Sequence, residues 1–143
     1  MSDRFKFRVW DKQSNSYTKE KKFYIDEFGG LFKYEKSKST VYINSDNPYI
    51  MCLCSDRYTC EQCTGLKDKN GKLIYEGDIV KCRYYDNFDG TEREIIGKVY
   101  WHKEDCAFYI FISLEEEIGF YGNYIDVIGN IHENKELLEE KAE

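Results

Sequence analysis

A chain of 143 residues, 41% of them apolar, is long enough to bury a core without a metal ion or disulfide bonds, as one domain or two small ones. The net charge of −6 is uneven, since residues 66–143 carry 18 Asp/Glu against 10 Lys/Arg. That acidic half disfavours nonspecific nucleic-acid binding, because it repels phosphate backbones. No apolar run approaches a membrane span and the N-terminus lacks the apolar core of a signal peptide, so we expect a cytosolic protein.

Aromatic residues make up much of the apolar content, with 13 Tyr, 9 Phe and 2 Trp beside a single Pro. Aromatic side chains fit the pleated, half-buried surface of a sheet, so the composition predicts a mainly β fold. The first predicted strand covers residues 4–10, RFKFRVW, which alternate strictly. The alternation places Phe5, Phe7 and Val9 on one face, predicted to be buried, and Arg8 on the outer face.

Short strands follow in the first half of the chain. Residues 23–28 and 31–34 flank Gly29-Gly30, which predicts a hairpin with a two-residue turn. Further strands are predicted at residues 41–43 and 49–54, separated by the turn-forming run NSDNP.

The segment TGLKDKNGKLIYEGDIVKCR, residues 64–83, contains the clearest turn signal. We expect a three-residue loop, Lys69-Asn70-Gly71, with Gly71 in the left-handed region. This register places Asp68 opposite Lys72 and Leu66 opposite Ile74, which favours it over a two-residue loop that would oppose two lysines. We interpret the charged run as a turn, in preference to an anion-binding loop.

A bend at Gly77 and Asp78 leads into the strands of the second half. Gly77 is suited to a positive φ, and Asp78 can accept hydrogen bonds from nearby backbone N–H groups. Strands are predicted at 79–85, 95–101, 107–112 and 124–131. In the strand at 79–85, three side chains are expected to face inward: Val80, Cys82 and Tyr84.

Three smaller features complete the predicted architecture. Gly97 lies within a strand, which indicates a bulge or a close approach of another backbone. The run Glu115-Glu116-Glu117 is expected to be a solvated loop. Asn134 is the predicted N-cap of a short helix over residues 135–142.

Together these elements predict a mainly β protein in two parts. Residues 1–63 form a β-rich N-terminal region, and residues 64–143 form an SH3-like β-barrel that ends in the short helix. A hairpin, a Gly-Asp bend and a three-stranded meander are typical of such a barrel, and the two parts are expected to pack together.

Four of the six cysteines cluster in CLCSDRYTCEQC, at Cys52, Cys54, Cys60 and Cys63. Four thiolates at this spacing can hold Zn²⁺, and Cys60-x-x-Cys63 has the spacing of a zinc knuckle. Reduced cysteines packed in a β core are the alternative, which the unusual Cys52-x-Cys54 pair favours. We therefore expect no metal and treat zinc as a secondary hypothesis.

Catalytic patterns are lacking in the sequence. No recognisable motif ties His102 or His132 to a nucleophile, and both are expected at the surface or at strand ends. The sequence contains no glycine-rich phosphate-binding loop. We expect no catalytic residues, no cofactor and no enzymatic activity.

Four stretches of the sequence resemble the YopX family of phage and prophage proteins. They are FKFRVWDKQSNSY (5–17), QCTGLKDKNGKLIYEGDIVK (62–81), IGKVYW (96–101) and DVIGNIHENKELLEE (126–140). The resemblance implies a β-rich part joined to an SH3-like barrel, in a phage-encoded protein acting in a bacterial cytoplasm. The family has no established activity, so it assigns no catalytic residues, and the group of Cys52, Cys54 and Cys60 is not part of its pattern.

We expect a non-enzymatic interaction module that binds a host or phage protein, or a second copy of itself. Aromatic residues near the predicted loop ends of the barrel are the candidate contacts: Tyr84, Tyr85, Phe88, Trp101, Phe120, Tyr121 and Tyr124. The alternative is binding of RNA or single-stranded DNA, with aromatic rings stacking on bases beside four cations: Lys6, Arg8, Lys81 and Arg83. The net negative charge argues against that alternative.

Overall fold

A computed structural model of the chain describes residues 3–20, 22–25, 30–36, 49–53, 56–85, 89–113, 116–120 and 124–139. The fold is mainly β, as predicted. Two compact units divide the chain: the larger contains Met1–Arg8 and Glu61–Glu143, and the smaller contains Val9–Cys60. Along the sequence, the chain passes from one unit to the other between Arg8 and Val9 and again between Cys60 and Glu61.

A 3₁₀-helical turn at Asp3–Phe5 precedes the first strand, and an α-helix, α1 (Glu136–Glu139), follows the last. The strands are β1 (Phe7–Asp11), β2 (Ser16–Tyr17), β3 (Phe23–Ile25), β4 (Leu31–Lys36), β5 (Tyr49–Leu53), β6 (Tyr58–Lys67), β7 (Leu73–Tyr75), β8 (Asp78–Tyr85), β9 (Glu92–His102), β10 (Ala107–Ser113), β11 (Glu116–Gly119) and β12 (Ile125–Asn130).

The larger unit is built on a five-stranded antiparallel sheet in the order β11-β10-β9-β8-β12. This confirms the predicted meander of β8, β9 and β10 and the predicted last strand. Short turns between alternating apolar strands produce this order, because consecutive antiparallel strands pair as neighbours.

The core of the larger unit lies on one face of this sheet. Val80 and Cys82 of β8 are buried there as predicted, and Tyr84 packs against them. The other buried members are Ile74, Ile95, Val99, Ile110 and Ile125. Beyond the buried Ile79, alternation along β8 places Lys81, Arg83 and Tyr85 on the opposite face.

Gly97 confirms the prediction of a close backbone approach within a strand. A Cβ atom at this position would lie 2.5 Å from Cγ2 of Ile110 and 2.7 Å from the carbonyl oxygen of Phe111. Both distances are shorter than non-bonded contacts of a carbon atom with carbon or oxygen. Glycine is therefore required here for the packing of β9 against β10.

The hairpin between β6 and β7 has the predicted three-residue loop. Gly71 has a φ of +82°, the amide of Asp68 donates to the carbonyl of Lys72 at 2.8 Å, and the amide of Gly71 donates to the carbonyl of Asp68 at 3.0 Å. The buried Asp68 carboxylate accepts the backbone N–H groups of Asn70 and Lys72 at Oδ1, each at 2.8 Å, and that of Val127 at Oδ2, at 3.3 Å. One aspartate therefore holds the loop together and fixes it to β12.

The prediction that Leu66 shares an apolar face with Ile74 is wrong. The predicted register holds at Lys67, which pairs with Leu73, but the ladder shifts between Lys67 and Cys63. Gly65, with a φ of +84°, lies within this irregularity. Leu66 is exposed, whereas Ile74 is fully buried. A bulge moves side chains off the alternation that the sequence pattern assumes.

Acid should weaken the hairpin through Asp68. Burial raises the pKa of this carboxyl, but the backbone N–H groups of Lys72, Val127 and Asn70 lower it further, so the net pKa lies below 3.8. A lowered folded-state pKa gives stability that is present above 3.8 and is lost as the pH falls through the folded value. We expect Asp68→Asn to lose less stability than the wild type between about pH 4 and 2, measured by urea unfolding. An equal loss in both proteins would contradict this role.

The smaller unit contains the sheet β3-β4-β5 and the pairing of β1 with β2 through Trp10–Tyr17 and Asp11–Ser16. Its core contains Val9, Leu31 and Tyr58. The buried Asp11 carboxylate accepts two hydrogen bonds from Arg57, at 2.8 and 2.7 Å, which hold its pKa well below the usual range. Strand β2 and most of β6 were not predicted.

The β3–β4 hairpin is confirmed, but its predicted register is wrong. Ile25 pairs with Leu31, so five residues separate the last pair in place of the two-residue turn at Gly29-Gly30. Residues 26–29 and the predicted strand 41–43 lie outside the described residues. Strand β5 confirms the prediction for residues 49–53.

The N-terminal prediction is correct for Val9, which is buried, but wrong for the two phenylalanines. Phe5 is 60% exposed and Phe7 is 46% exposed, and a 3₁₀-helical turn at Asp3–Phe5 lies where the strand was predicted to begin. Arg8, predicted on the outer face, is largely buried. Its two carboxylate partners come from distant positions in the sequence, so periodicity alone could not identify them.

Two corrections concern the C-terminal part. Glu116 and Glu117 belong to β11 rather than to a loop. The described part of helix α1 begins at Glu136, and residues 140–142 of the predicted helix lie outside the described residues. The Asn134 side chain accepts the Asn130 amide at 3.3 Å rather than capping the helix. The Asn134 carbonyl accepts the Leu137 amide at 3.1 Å.

Candidate functional site

A buried ionic network around Arg8 is the most densely connected polar feature of the larger unit. Nε of Arg8 donates to Oε2 of Glu61 at 2.7 Å, and Nη1 lies 2.7 Å from Oδ1 of Asp78. Nη2 donates to the carbonyl of Glu76 at 3.1 Å, and the guanidinium carbon lies 4.7 Å from the centroid of the Tyr75 ring. The two carboxylate side chains are 3% and 1% exposed, so the network is shielded from water.

The bend between β7 and β8 supports this network. Gly77 has the predicted positive φ, +80°, and Asp78 accepts the amide of Tyr75 at Oδ2 as predicted, at 2.8 Å. A Cβ on Gly77 would lie 2.8 Å from Oε1 of Glu61. Burial raises the pKa values of Asp78 and Glu76, and for Asp78 the Arg8 guanidinium opposes that rise.

His132 joins the network through Nε2, which lies 2.6 Å from Oε1 of Glu61. It lies just after the end of β12, as expected, but its side chain is only 16% exposed and is therefore more enclosed than a surface histidine. The network links β1, β6, the bend and the segment after β12. Removal of a partner from such a network leaves a buried charge uncompensated, so we assign the network to stability.

A groove on the outer face of the sheet is the candidate binding site. It has a volume of about 460 Å³ and lies where β8, β9, β12 and the β6–β7 loop meet. Strand pairing explains its composition, because β8 pairs Lys81 with Asp126 on one side and Arg83 with Glu94 on the other. The lining residues are Lys69, Lys81, Cys82, Arg83, Glu94, Tyr124 and Asp126.

Ion pairs order the charges of the groove. Nζ of Lys69 lies 2.7 Å from Oδ2 of Asp126, whose Oδ1 accepts a hydrogen bond from Asn70 at 3.2 Å. Nζ of Lys81 lies 2.6 Å from Oε1 of Glu94. Positive and negative side chains therefore alternate along the groove, and neither sign forms a continuous stripe.

Exposed tyrosines lie beside these charges. Tyr124, which is 64% exposed, has its ring centroid 5.8 Å from the guanidinium carbon of Arg83. Tyr85 follows Arg83 by two residues in β8 and therefore lies on the same face of that strand; it is 59% exposed. Arg83 therefore presents a charge to a ligand, and the rings of Tyr124 and Tyr85 present apolar area beside it.

The structure brings only some of the predicted contact residues to this surface. Tyr84 and Phe120 pack against the core, and Trp101, although 38% exposed, makes an edge-to-face contact with Phe108 at 5.0 Å. Phe88 and Tyr121 lie outside the described residues. Four lining residues were not among the predicted contacts: Lys69, Cys82, Glu94 and Asp126. For Glu94 and Asp126 the signal was the alternation of charges on paired strands, which requires the strand register. Lys69 lies in the β6–β7 loop, and Cys82 was predicted only to face inward.

A second cluster on the outer face contains His102 between two tyrosines. The hydroxyl of Tyr100 donates to Glu117, and the hydroxyl of Tyr109 donates to Asp105 at 2.8 Å. Burial and the Glu117 carboxylate raise the pKa of Tyr100 to about 12. His102 is only 19% exposed and accepts the Asp105 amide at Nδ1, so it is more enclosed than predicted.

The zinc hypothesis stays untested. Cys54 and the side chain of Cys52 lie outside the described residues. Cys63 is buried, and its Sγ accepts the amide of Gly65 at 3.4 Å. Among the residues that can be described, no group of His, Cys, Asp or Glu side chains is arranged to hold a metal ion.

Comparison with known proteins identifies the family. The family described as YopX protein matches residues 6–139. The chain belongs to the YopX family. This confirms the resemblance found in the four sequence stretches.

A solved structure shares the fold of this chain. The chain is similar to protein EF1440 from Enterococcus faecalis, with 27% sequence identity and a TM-score of 0.56, over 93% of this chain and 96% of that one. No curated protein matches this YopX-family chain. Within the described part of the chain, no helix has the length and apolar character needed to cross a membrane.

Proposed function

We propose that this YopX-family chain is a phage- or prophage-encoded, non-enzymatic protein-interaction module that acts in the cytoplasm of its bacterial host. Its partner is a host or phage protein, or a second copy of the chain. On this proposal, the larger unit closes as an SH3-like barrel and presents the groove on its outer face.

One observation carries this proposal: the groove combines the exposed ring of Tyr124 with paired charges of both signs, and the exposed Tyr85 lies on the same face of β8 as Arg83. Tyrosine and arginine are enriched in protein–protein interfaces, where the rings supply contact area and the charges set register. A volume of about 460 Å³ is enough to hold several side chains of a partner.

Nucleic-acid binding, the alternative, has weaker support. Of the four expected contacts, Arg8 is enclosed by Glu61 and Asp78, Lys6 lies 2.7 Å from Asp3, and Lys81 is paired with Glu94. Binding of a phosphate backbone depends on cations that neutralise phosphates. Lysines beside carboxylates do this poorly, so protein binding is favoured.

Site-specific photo-cross-linking tests the proposal. p-Benzoylphenylalanine in place of Tyr124 should give a discrete protein adduct in bacterial cells that express the chain. The same group in place of Lys103, which is exposed in the β9–β10 turn, serves as the matched control and should give no such adduct. Mass spectrometry of the adduct identifies the partner.

Two results would contradict the proposal. Equal yields of adduct at positions 124 and 103 would show that the contacts are nonspecific. If no protein adduct formed at position 124, the groove would not be a protein interface. A nucleic-acid adduct at position 124, together with RNA retention on filters at low salt, would support the alternative instead.

A further inference from the structure

The groove carries more positive than negative charge, although the chain as a whole is acidic. Three lining side chains are cations (Lys69, Lys81 and Arg83) and two are carboxylates (Glu94 and Asp126), in a protein with a net charge of −6. A concave surface with a local excess of positive charge attracts an anionic group.

Of the three groove cations, Arg83 gives up the weakest ion pair when it binds an anionic group. The two lysines lie 2.7 and 2.6 Å from their carboxylate partners. Nη1 of Arg83, in contrast, lies 3.8 Å from Oε1 of Glu92, and both of these side chains are more than half exposed. An exposed ion pair of that length contributes little to stability, so Arg83 can exchange it for a ligand.

The surroundings of Arg83 define the ligand. A guanidinium binds a carboxylate through two parallel hydrogen bonds, which gives it geometric specificity for that group. The exposed rings of Tyr124 and Tyr85 provide apolar contact area beside it. Carboxylates at Glu92 and Glu94 repel the closely repeated phosphates of a nucleic acid, whereas one carboxylate on a polypeptide meets this repulsion only once.

We propose that the groove binds a segment of a partner protein that places an Asp or Glu carboxylate on the guanidinium of Arg83 and an apolar or aromatic side chain over Tyr124. This inference rests on the proposed interaction function and gives the chemistry of the partner. It also assigns Arg83 as the residue that determines specificity.

Titration of the ¹⁵N-labelled full chain with defined peptides tests this inference. The probes are capped peptides in which one Glu, one Gln or one Lys lies between two Tyr residues, together with inorganic phosphate. The Glu peptide should give saturable shifts at Nε of Arg83 and at the amide of Tyr124. It should bind about tenfold more tightly than the Gln peptide, the effect of one charged hydrogen-bond pair.

Variants of Arg83 supply the control. Arg83→Gln should remove the preference for Glu over Gln, Arg83→Lys should retain part of it, and Lys103→Gln should behave as the wild type. Equal binding of the Glu and Gln peptides, a preference that persists in Arg83→Gln, or no peptide binding would overturn the inference. Tighter binding of phosphate than of the Glu peptide would overturn it as well.

The cross-linking experiment distinguishes this inference from the function on which it rests. A Tyr124 adduct that forms equally well in Arg83→Gln would overturn the carboxylate specificity and leave the interaction function intact. Absence of any adduct, with the peptide preference still present, would overturn the interaction function alone.

Discussion

Arg8→Met is expected to lower the free energy of unfolding by about 3–5 kcal/mol, measured by urea denaturation at pH 7. Methionine keeps much of the side-chain volume over Tyr75 but removes the charge that faces Glu61 and Asp78. Those two carboxylates are almost fully buried, so the loss of the cation they share leaves much of their desolvation uncompensated, although His132 still contacts Glu61 and the Tyr75 amide still donates to Asp78.

The pH dependence of this loss distinguishes charge from packing. Burial already raises the pKa of Asp78, and removal of Arg8 raises it further. When the pKa of a carboxyl is higher in the folded protein than in the unfolded protein, its contribution to stability is fully present at pH values below the unfolded-state pKa. That contribution is lost as the pH rises through the folded-state pKa. The deficit of Arg8→Met should therefore be smaller at pH 4 than at pH 7.

Lys6→Met is the matched control. Lys6 lies two residues away, and its ion pair with Asp3 is exposed. We expect little change in stability and no difference in the deficit between pH 4 and pH 7. Similar losses in both variants, or a pH-independent loss in Arg8→Met, would show that the network is not an important contributor to stability.

Gly97→Ala is expected to destabilise the protein by about 3 kcal/mol, at the upper end of overpacking effects. The added Cβ would lie 2.7 Å from the carbonyl oxygen of Phe111, and this backbone atom cannot move without separating β9 from β10. Urea denaturation measures the loss, and amide hydrogen exchange should show faster exchange along these two strands.

Gly71→Ala separates steric overlap from backbone strain. Gly71 has a φ of +82°, but no described atom lies within 4 Å of the position that its Cβ would occupy. The substitution should cost only the left-handed conformation, about 1–2 kcal/mol, without faster exchange in β9 and β10. An equally mild effect of Gly97→Ala would contradict the close packing of the sheet at this point.

Local signals in the sequence were sufficient to predict much of the larger unit. The left-handed Gly71, the bend at Gly77 and the inward face of β8 each depend on a few neighbouring residues, and the structure confirms all three. The YopX resemblance was confirmed for the same reason, because its motifs are continuous stretches.

Features that depend on distant residues were predicted poorly. Alternation placed Phe5 and Phe7 inside and Arg8 outside, but the burial of Arg8 depends on partners 53 and more residues away. The bulge at Gly65 reversed the expected environment of Leu66. The groove requires the register of three strands, so the sequence indicated Lys81, Arg83 and Tyr124 but not their acidic partners.

The central claim is that binding occurs in the outer groove through Arg83, whereas the buried network maintains the fold. The yield of the Tyr124 adduct in an Arg83→Gln background tests it most directly, with the thermal unfolding midpoint measured on the same protein. We predict an unchanged midpoint and an adduct yield reduced about tenfold. An undiminished yield from the folded variant would contradict the claim.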